Sequence, residues 1–136
     1  MARIFIDTDV VLDLLGQRLP FYEFSARLFS EADRGNIELL VSSLSFANLN
    51  YLLSKQYSPD QARKKLLKFK ALVTVLPVND KIVDLALSSD FKDFEDGLQY
   101  FTAIENGVGT IITRNLKDFK PAQIIVMTAE QYLNSR

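Results

Sequence analysis

The chain has 136 residues, 48% hydrophobic and 24% charged, and 16 Lys+Arg against 17 Asp+Glu leave a net charge of −1. That composition suits one globular domain over 1–136 with a real core, and its charge balance does not advertise nucleic-acid binding, although a net count can hide basic patches. Cys and His are both absent, which excludes disulfides, thiol chemistry, a Ser-His-Asp triad, histidine-pair cleavage of RNA and imidazole-based zinc sites.

Met1-Ala2-Arg3-Ile4 runs straight into a strand, which leaves no room for a signal peptide, and no apolar run approaches a membrane span. The expectation is a cytoplasmic protein with no membrane attachment. Ile4-Phe5-Ile6 then meets Asp7-Thr8-Asp9. An apolar run of this kind reads as a strand buried on both faces, with its acids at the C-terminal end, where open parallel sheets place ligands. Two carboxylates there repel unless a cation lies between them, and a hard divalent ion is the usual solution. The plainer reading is that Asp7 or, more readily, Asp9 caps the next helix.

Val10–Leu15 predicts a short helix closed by Gly16. After a loop ending at Pro20, the apolar spacing of Phe21, Phe24, Leu28 and Phe29 predicts a helix to Arg34, with Gly35 at its C-terminal end. Glu38–Val41 reads as a second strand ending at Ser42-Ser43. Ser45–Lys55 follows as a helix that buries Phe46, Leu49, Leu52 and Leu53. Ser58-Pro59-Asp60-Gln61 opens another helix with a capping box. Val73–Leu76 is a third strand, stopped by Pro77, and Asn79 or Asp80 caps a helix to about Leu87. Phe91–Asn106 holds the densest acid cluster and then a helix, ended by Gly107 and Gly109. Thr110–Thr113 and Ile124–Met127 are strands four and five. Arg114-Asn115 begin a polar loop between them, and Thr128–Gln131 starts a last helix with a capping box. Strands alternating with helices predict an α/β fold: three layers, α/β/α, around a central, mostly parallel five-stranded sheet.

In such a sheet the first and fourth strands are neighbours where the strand order reverses, so acids far apart in sequence converge. Four places matter: Asp7 with Thr8 and Asp9; Asn48, one turn into the helix after strand two; Asp93, Glu95 and Asp96 at a helix start; and Asn115 with Asp118 after strand four.

At these residues the chain resembles the PIN-domain family of metal-dependent ribonucleases, the VapC-type toxins among them. Ile4-Phe5-Ile6-Asp7-Thr8-Asp9-Val10-Val11-Leu12-Asp13 resembles the family's opening, Asp93-Phe94-Glu95-Asp96-Gly97-Leu98-Gln99 its third acidic motif, and Thr113-Arg114-Asn115-Leu116-Lys117-Asp118-Phe119 its closing motif. The resemblance implies that Asp7, Asp96 and Asp118 are catalytic and metal-binding, with Asn115 as a helper. Asp9 stands where the family usually has Asn. Asn48 stands where it usually has Glu, and an amide supplies no charge and cannot act as a base; Asp9 or Asp93 would restore the charge. The implied chemistry is attack by a water activated on Mg²⁺ (or Mn²⁺), leaving a 5′-phosphate and a 3′-hydroxyl. Thr113 and Thr8 would steady a carboxylate or a water from behind. The resemblance also implies an RNA substrate, a cognate antitoxin protein and a homodimer.

Asp93 also suits a helix cap, and Asp13 a structural or solvated role in the first helix. Arg63-Lys64-Lys65-Leu66-Leu67-Lys68 reads as the solvated face of an amphipathic helix, with RNA-backbone contact as the alternative; Arg114 and Lys117 are the better candidates for holding phosphate. The many Phe and Tyr are mostly core, although Tyr51, Tyr57 and Tyr22 would suit a partner surface. Two further functions fit parts of the pattern. One is a haloacid-dehalogenase-like phosphatase with Asp7 as nucleophile and Asp9 as acid/base, though its late acids fall in the wrong places. The other is a catalytically weak PIN-like domain that binds RNA or protein, for which Asn48 is the main support.

Overall fold

The computed structural model describes residues 1–136. Five strands form one parallel sheet: β1 (Ala2–Ile6), β2 (Ile37–Ser42), β3 (Val73–Leu76), β4 (Thr110–Ile112) and β5 (Ile125–Met127), in the order β3-β2-β1-β4-β5. From β1 the chain builds outward through β2 to β3, then returns to add β4 and β5 on the other side. The order therefore reverses between β1 and β4, where Phe5 pairs with Ile111 and Ile6 with Ile112.

Seven helices cover the sheet: α1 (Thr8–Leu15), α2 (Tyr22–Asp33), α3 (Ser43–Gln56), α4 (Pro59–Lys70), α5 (Asp80–Leu87), α6 (Phe94–Glu105) and α7 (Ala129–Asn134). None is long and apolar enough to cross a membrane. The alternation of strand side chains sorts the core into two faces. Ile4, Ile6, Leu39, Val41 and Ile112 pack with residues of α1 to α4, whereas Phe5, Leu40, Leu76 and Ile111 pack with Tyr100 and Ala103 of α6. A smaller cluster of Ile82, Ala86 and Leu98 joins α5 to α6.

Several local expectations need correction. Arg114-Asn115 do not open an irregular loop throughout, because Leu116–Phe119 winds into a 3₁₀ turn. Phe119 is buried and packs edge-on against Phe91 at 5.8 Å, and Phe91 in turn lies 5.1 Å from Tyr100 of α6. This aromatic contact fixes the turn against the helix. Leu52 is 37% exposed instead of facing the core. Ser58 accepts from Gln61 N–H, but the reciprocal side-chain bond of a capping box forms only at α7, between Thr128 and Gln131. Asp9 caps nothing: the N-cap of α1 is Asp7.

Candidate active site

The C-terminal end of β1 delivers Asp7 directly to the reversal point. Its backbone N–H donates to Ile112 O at 2.9 Å, extending the β1–β4 pairing by one residue. Its side chain is held on both oxygens. Oδ1 accepts from Thr8 N–H at 2.8 Å, and Oδ2 accepts from the Thr113 hydroxyl at 2.8 Å. Asn115 N–H in turn donates to Thr113 Oγ1 at 3.1 Å, and the Asn115 amide donates a short hydrogen bond to Asp9. Residues following β4 thus clamp both acids that follow β1.

On the opposite wall Asp93 caps α6 as expected, accepting from Glu95 N–H at 2.8 Å and Asp96 N–H at 3.3 Å. This places Asp96 in the first helical turn, facing the cleft. Asp118 comes from the 3₁₀ turn, its N–H bonded to Asn115 O at 3.0 Å. Asn48, from α3, points its amide at the Glu95 carboxylate, 3.3 and 3.4 Å from the two oxygens. Beneath the floor, the Thr8 and Ser45 hydroxyls lie 2.7 Å apart, and Gln99 donates to both at 2.9 and 3.2 Å. Thr8 therefore steadies Asp7 through its backbone, while its side chain ties α1 to α3 and α6.

These residues enclose a cleft of about 400 Å³ lined by six carboxylates (Asp7, Asp9, Asp93, Glu95, Asp96 and Asp118) and by no Lys or Arg. The electrostatic consequence is large. Burial first, and the Asp9 carboxylate second, push the Asp7 carboxyl up to about 6, against the pull of its two hydrogen bonds. Burial, followed by repulsion from Asp7, Asp93, Asp118 and Asp9, pushes Asp96 up to about 7. No three of the acids are drawn together into a ready-made metal cage; they ring the cleft instead. An all-oxygen donor set with uncompensated negative charge nonetheless fits a hard divalent cation in chemistry and in charge. Gln99 adds a buried Oε1 with no partner beside the same cleft.

The cleft brings together Asp7, Asp9, Asn48, Asp93, Asp96, Asn115 and Asp118 of the expected residues, with Thr113 directly behind Asp7. Arg114 stands outside it. Its Nε lies 2.8 Å from Oδ2 of Asp13, and its guanidinium stacks over the Phe21 ring at 4.4 Å. Asp13 is 1% exposed, so it is structural and not solvated. Burial raises its carboxyl despite Arg114, since desolvation outweighs the attraction. Lys117 faces a neighbouring hollow. The exposed basic residues Arg63, Lys64 and Lys68 line the outer face of α4, away from the cleft.

Sequence reasoning gave Glu95 no separate role, and it missed Gln99, Tyr51 and Leu52 in the lining and Ser45 beneath it. Helical spacing held part of the signal: Gln99 follows Asp96 by three residues, and Tyr51 and Leu52 follow Asn48 by three and four, so each pair shares a helix face. Ser45, three residues before Asn48 on the same helix, carries the same signal.

Comparison with known proteins agrees with this geometry. The family model described as PIN domain matches residues 3–117. Ribonuclease VapC1 of Aquifex aeolicus (strain VF5) is 29% identical over 138 residues, spanning 96% of this chain and 92% of that protein. The solved structure of VapBC2 from Rickettsia felis, bound to a promoter DNA fragment, aligns with a TM-score of 0.69 at 20% identity, over 92% of this chain and 96% of that one. A toxin-antitoxin complex from Klebsiella pneumoniae aligns with a TM-score of 0.69 at 19% identity, over 93% and 97%. At those identities the solved structures attest the fold.

Proposed function

The chain belongs to the PIN-domain family, and from that membership we propose that it is a Mg²⁺- or Mn²⁺-dependent endoribonuclease of the VapC toxin type, acting on RNA in the cytoplasm. The observation that carries this reading is a cleft of six carboxylates without a single basic side chain. The family match favours this reading over the phosphatase alternative, in which Asp7 would be a nucleophile.

Asp7, Asp96 and Asp118 would hold the ion from the walls of the cleft they line. A bound Mg²⁺ or Mn²⁺ supplies charge neutralisation, a more acidic water and polarisation of the scissile phosphate. The chain's own residues do the positioning. Thr113 and Thr8 N–H fix both oxygens of Asp7, so this acid needs little reordering. Asn115 aims Asp9 into the cleft, and Asp93 orders the helical turn that carries Asp96. The charge missing at Asn48 stands instead on Glu95, which the Asn48 amide holds. In-line attack of water on phosphorus, with departure of the 3′-oxygen, leaves a 5′-phosphate and a 3′-hydroxyl. A cognate antitoxin belongs to the same reading, supported by likeness to a toxin-antitoxin complex, and a homodimer is proposed with it from family resemblance alone.

The test is cleavage of RNA by the purified protein. Cutting is expected with Mn²⁺ or Mg²⁺, none with EDTA, and a loss of at least about 100-fold in Asp96→Asn with an unchanged circular dichroism spectrum. RNA binding without metal-dependent cutting on any substrate would point instead to a non-catalytic PIN-like binding domain. Full activity in Asp96→Asn would discard the site.

A further inference from the structure

We propose that the hollow bounded by Lys92, Lys117 and Lys120 holds a backbone phosphate of the substrate strand, so that RNA leaves the acidic cleft on the side of the 3₁₀ turn. The inference rests on the ribonuclease reading and gives it a direction. The hollow measures about 320 Å³, is lined by Asp90, Asp93, Asp118 and Pro121 as well as the three lysines, and shares Asp93 and Asp118 with the cleft. It is therefore the next compartment a strand would enter after crossing the carboxylates.

Two observations single it out. All three lysines are exposed, and none forms an ion pair, although aspartates border the same hollow. Asp93 is already engaged by two backbone N–H groups. The other cations near the cleft are committed. Arg114 is held between Asp13 and the Phe21 ring. Lys55 sits over the Tyr51 ring at 4.3 Å. Among the basic residues that line the cleft and the hollows sharing residues with it, the three lysines are thus the uncommitted ones. A strand whose scissile phosphate sits over carboxylates needs compensation for its next phosphate, and ammonium groups on flexible stems supply it without reading sequence.

The test uses the full chain carrying Asp96→Asn to silence cleavage, with a fluorescent single-stranded RNA in Mg²⁺ over a range of salt. Lys92→Gln, Lys117→Gln and Lys120→Gln together should weaken binding about 10-fold or more, equally across RNA sequences. The slope of log Kd against log salt should drop by about 0.7 for each phosphate that is no longer neutralised. In the cleaving background the same triple variant should raise KM and leave kcat within about twofold. Lys64→Gln with Lys68→Gln, on the outer face of α4, should change neither. A triple variant that keeps the affinity and the slope of the parent overturns the hollow while leaving the ribonuclease reading in place. A triple variant that keeps RNA affinity but loses binding of poly-glutamate overturns it in favour of an acidic protein segment. A parent chain that neither binds nor cuts RNA overturns both readings.

Discussion

Replacing Asp7 with Asn should make the metal-free protein more stable at neutral pH and less responsive to metal. Asp7 is 5% exposed, and its carboxyl rises from 3.8 to about 6 because burial and Asp9 disfavour its charge. An acid raised in this way binds its proton more tightly in the folded chain than in the unfolded one. Its contribution to stability is complete below about pH 4 and is lost as pH rises through about 6. By pH 8 its ionisation costs the fold about 3 kcal/mol relative to the unfolded chain. Asn carries no charge; its oxygen can still accept from Thr8 N–H, but its NH2 must reverse the bond to the Thr113 hydroxyl, which already accepts from Asn115 N–H, a loss of about 1 kcal/mol. Asp7→Asn should therefore be about 1 kcal/mol less stable at pH 4, and about 2 kcal/mol more stable at pH 8 in EDTA. The latter corresponds to about 7 °C in Tm. Mn²⁺ at a hundred times its Kd should restore the order at pH 8, adding about 3 kcal/mol to the parent and little to the variant. Thermal melts at both pH values, with EDTA and with Mn²⁺, read all four quantities. A variant no more stable than its parent at pH 8 in EDTA would refute the reasoning, as would one that Mn²⁺ stabilises as strongly.

Three other substitutions probe the surroundings of the cleft. Arg114→Ala leaves Asp13 buried without its cation, and urea unfolding should show a loss of about 3 kcal/mol; Asp13→Asn with Arg114→Leu should recover more than half, and a single-variant loss under about 1 kcal/mol would deny the pair this role. Asn48→Glu sets a second carboxylate against Glu95, so Tm should fall in EDTA while Mn²⁺ affinity by calorimetry rises severalfold; an unaltered affinity would place position 48 outside the reach of the ion. Thr113→Val removes the hydroxyl that holds Asp7 and should weaken Mn²⁺ binding about 10- to 100-fold, whereas parental affinity would mean that Asp7 needs no such support.

The framework was legible because its signals are local. Ile4-Phe5-Ile6 and Leu39-Leu40-Val41 are apolar runs buried on both faces, and the residues Asn79, Asp93 and Thr128 cap the helices that follow them. The convergence of Asp7 with Asp96 and Asp118 followed from parallel topology, since β1 and β4 had to be neighbours. What escaped depends on partners distant in sequence. Nothing near Arg114 reveals that its cation is spoken for by Asp13, and nothing near Glu95 reveals the amide of Asn48 opposite. Leu116–Phe119 is too short for any periodicity to register, so its turn is visible only through the packing of Phe119 on Phe91. Asp9 was the readier cap by sequence, yet Asp7 caps α1, because both are aspartates and the extended backbone at the strand's end falls on Asp7.

Crystals soaked in Mn²⁺ and measured at its absorption edge would answer most directly. The account requires an anomalous peak inside the cleft with oxygens of Asp7, Asp96 and Asp118 drawn to about 2.2 Å from it, a separation typical of oxygen ligands. A fully soaked crystal with no peak there, or a peak held by other residues with Asp7 still bonded only to Thr8 and Thr113, would contradict it.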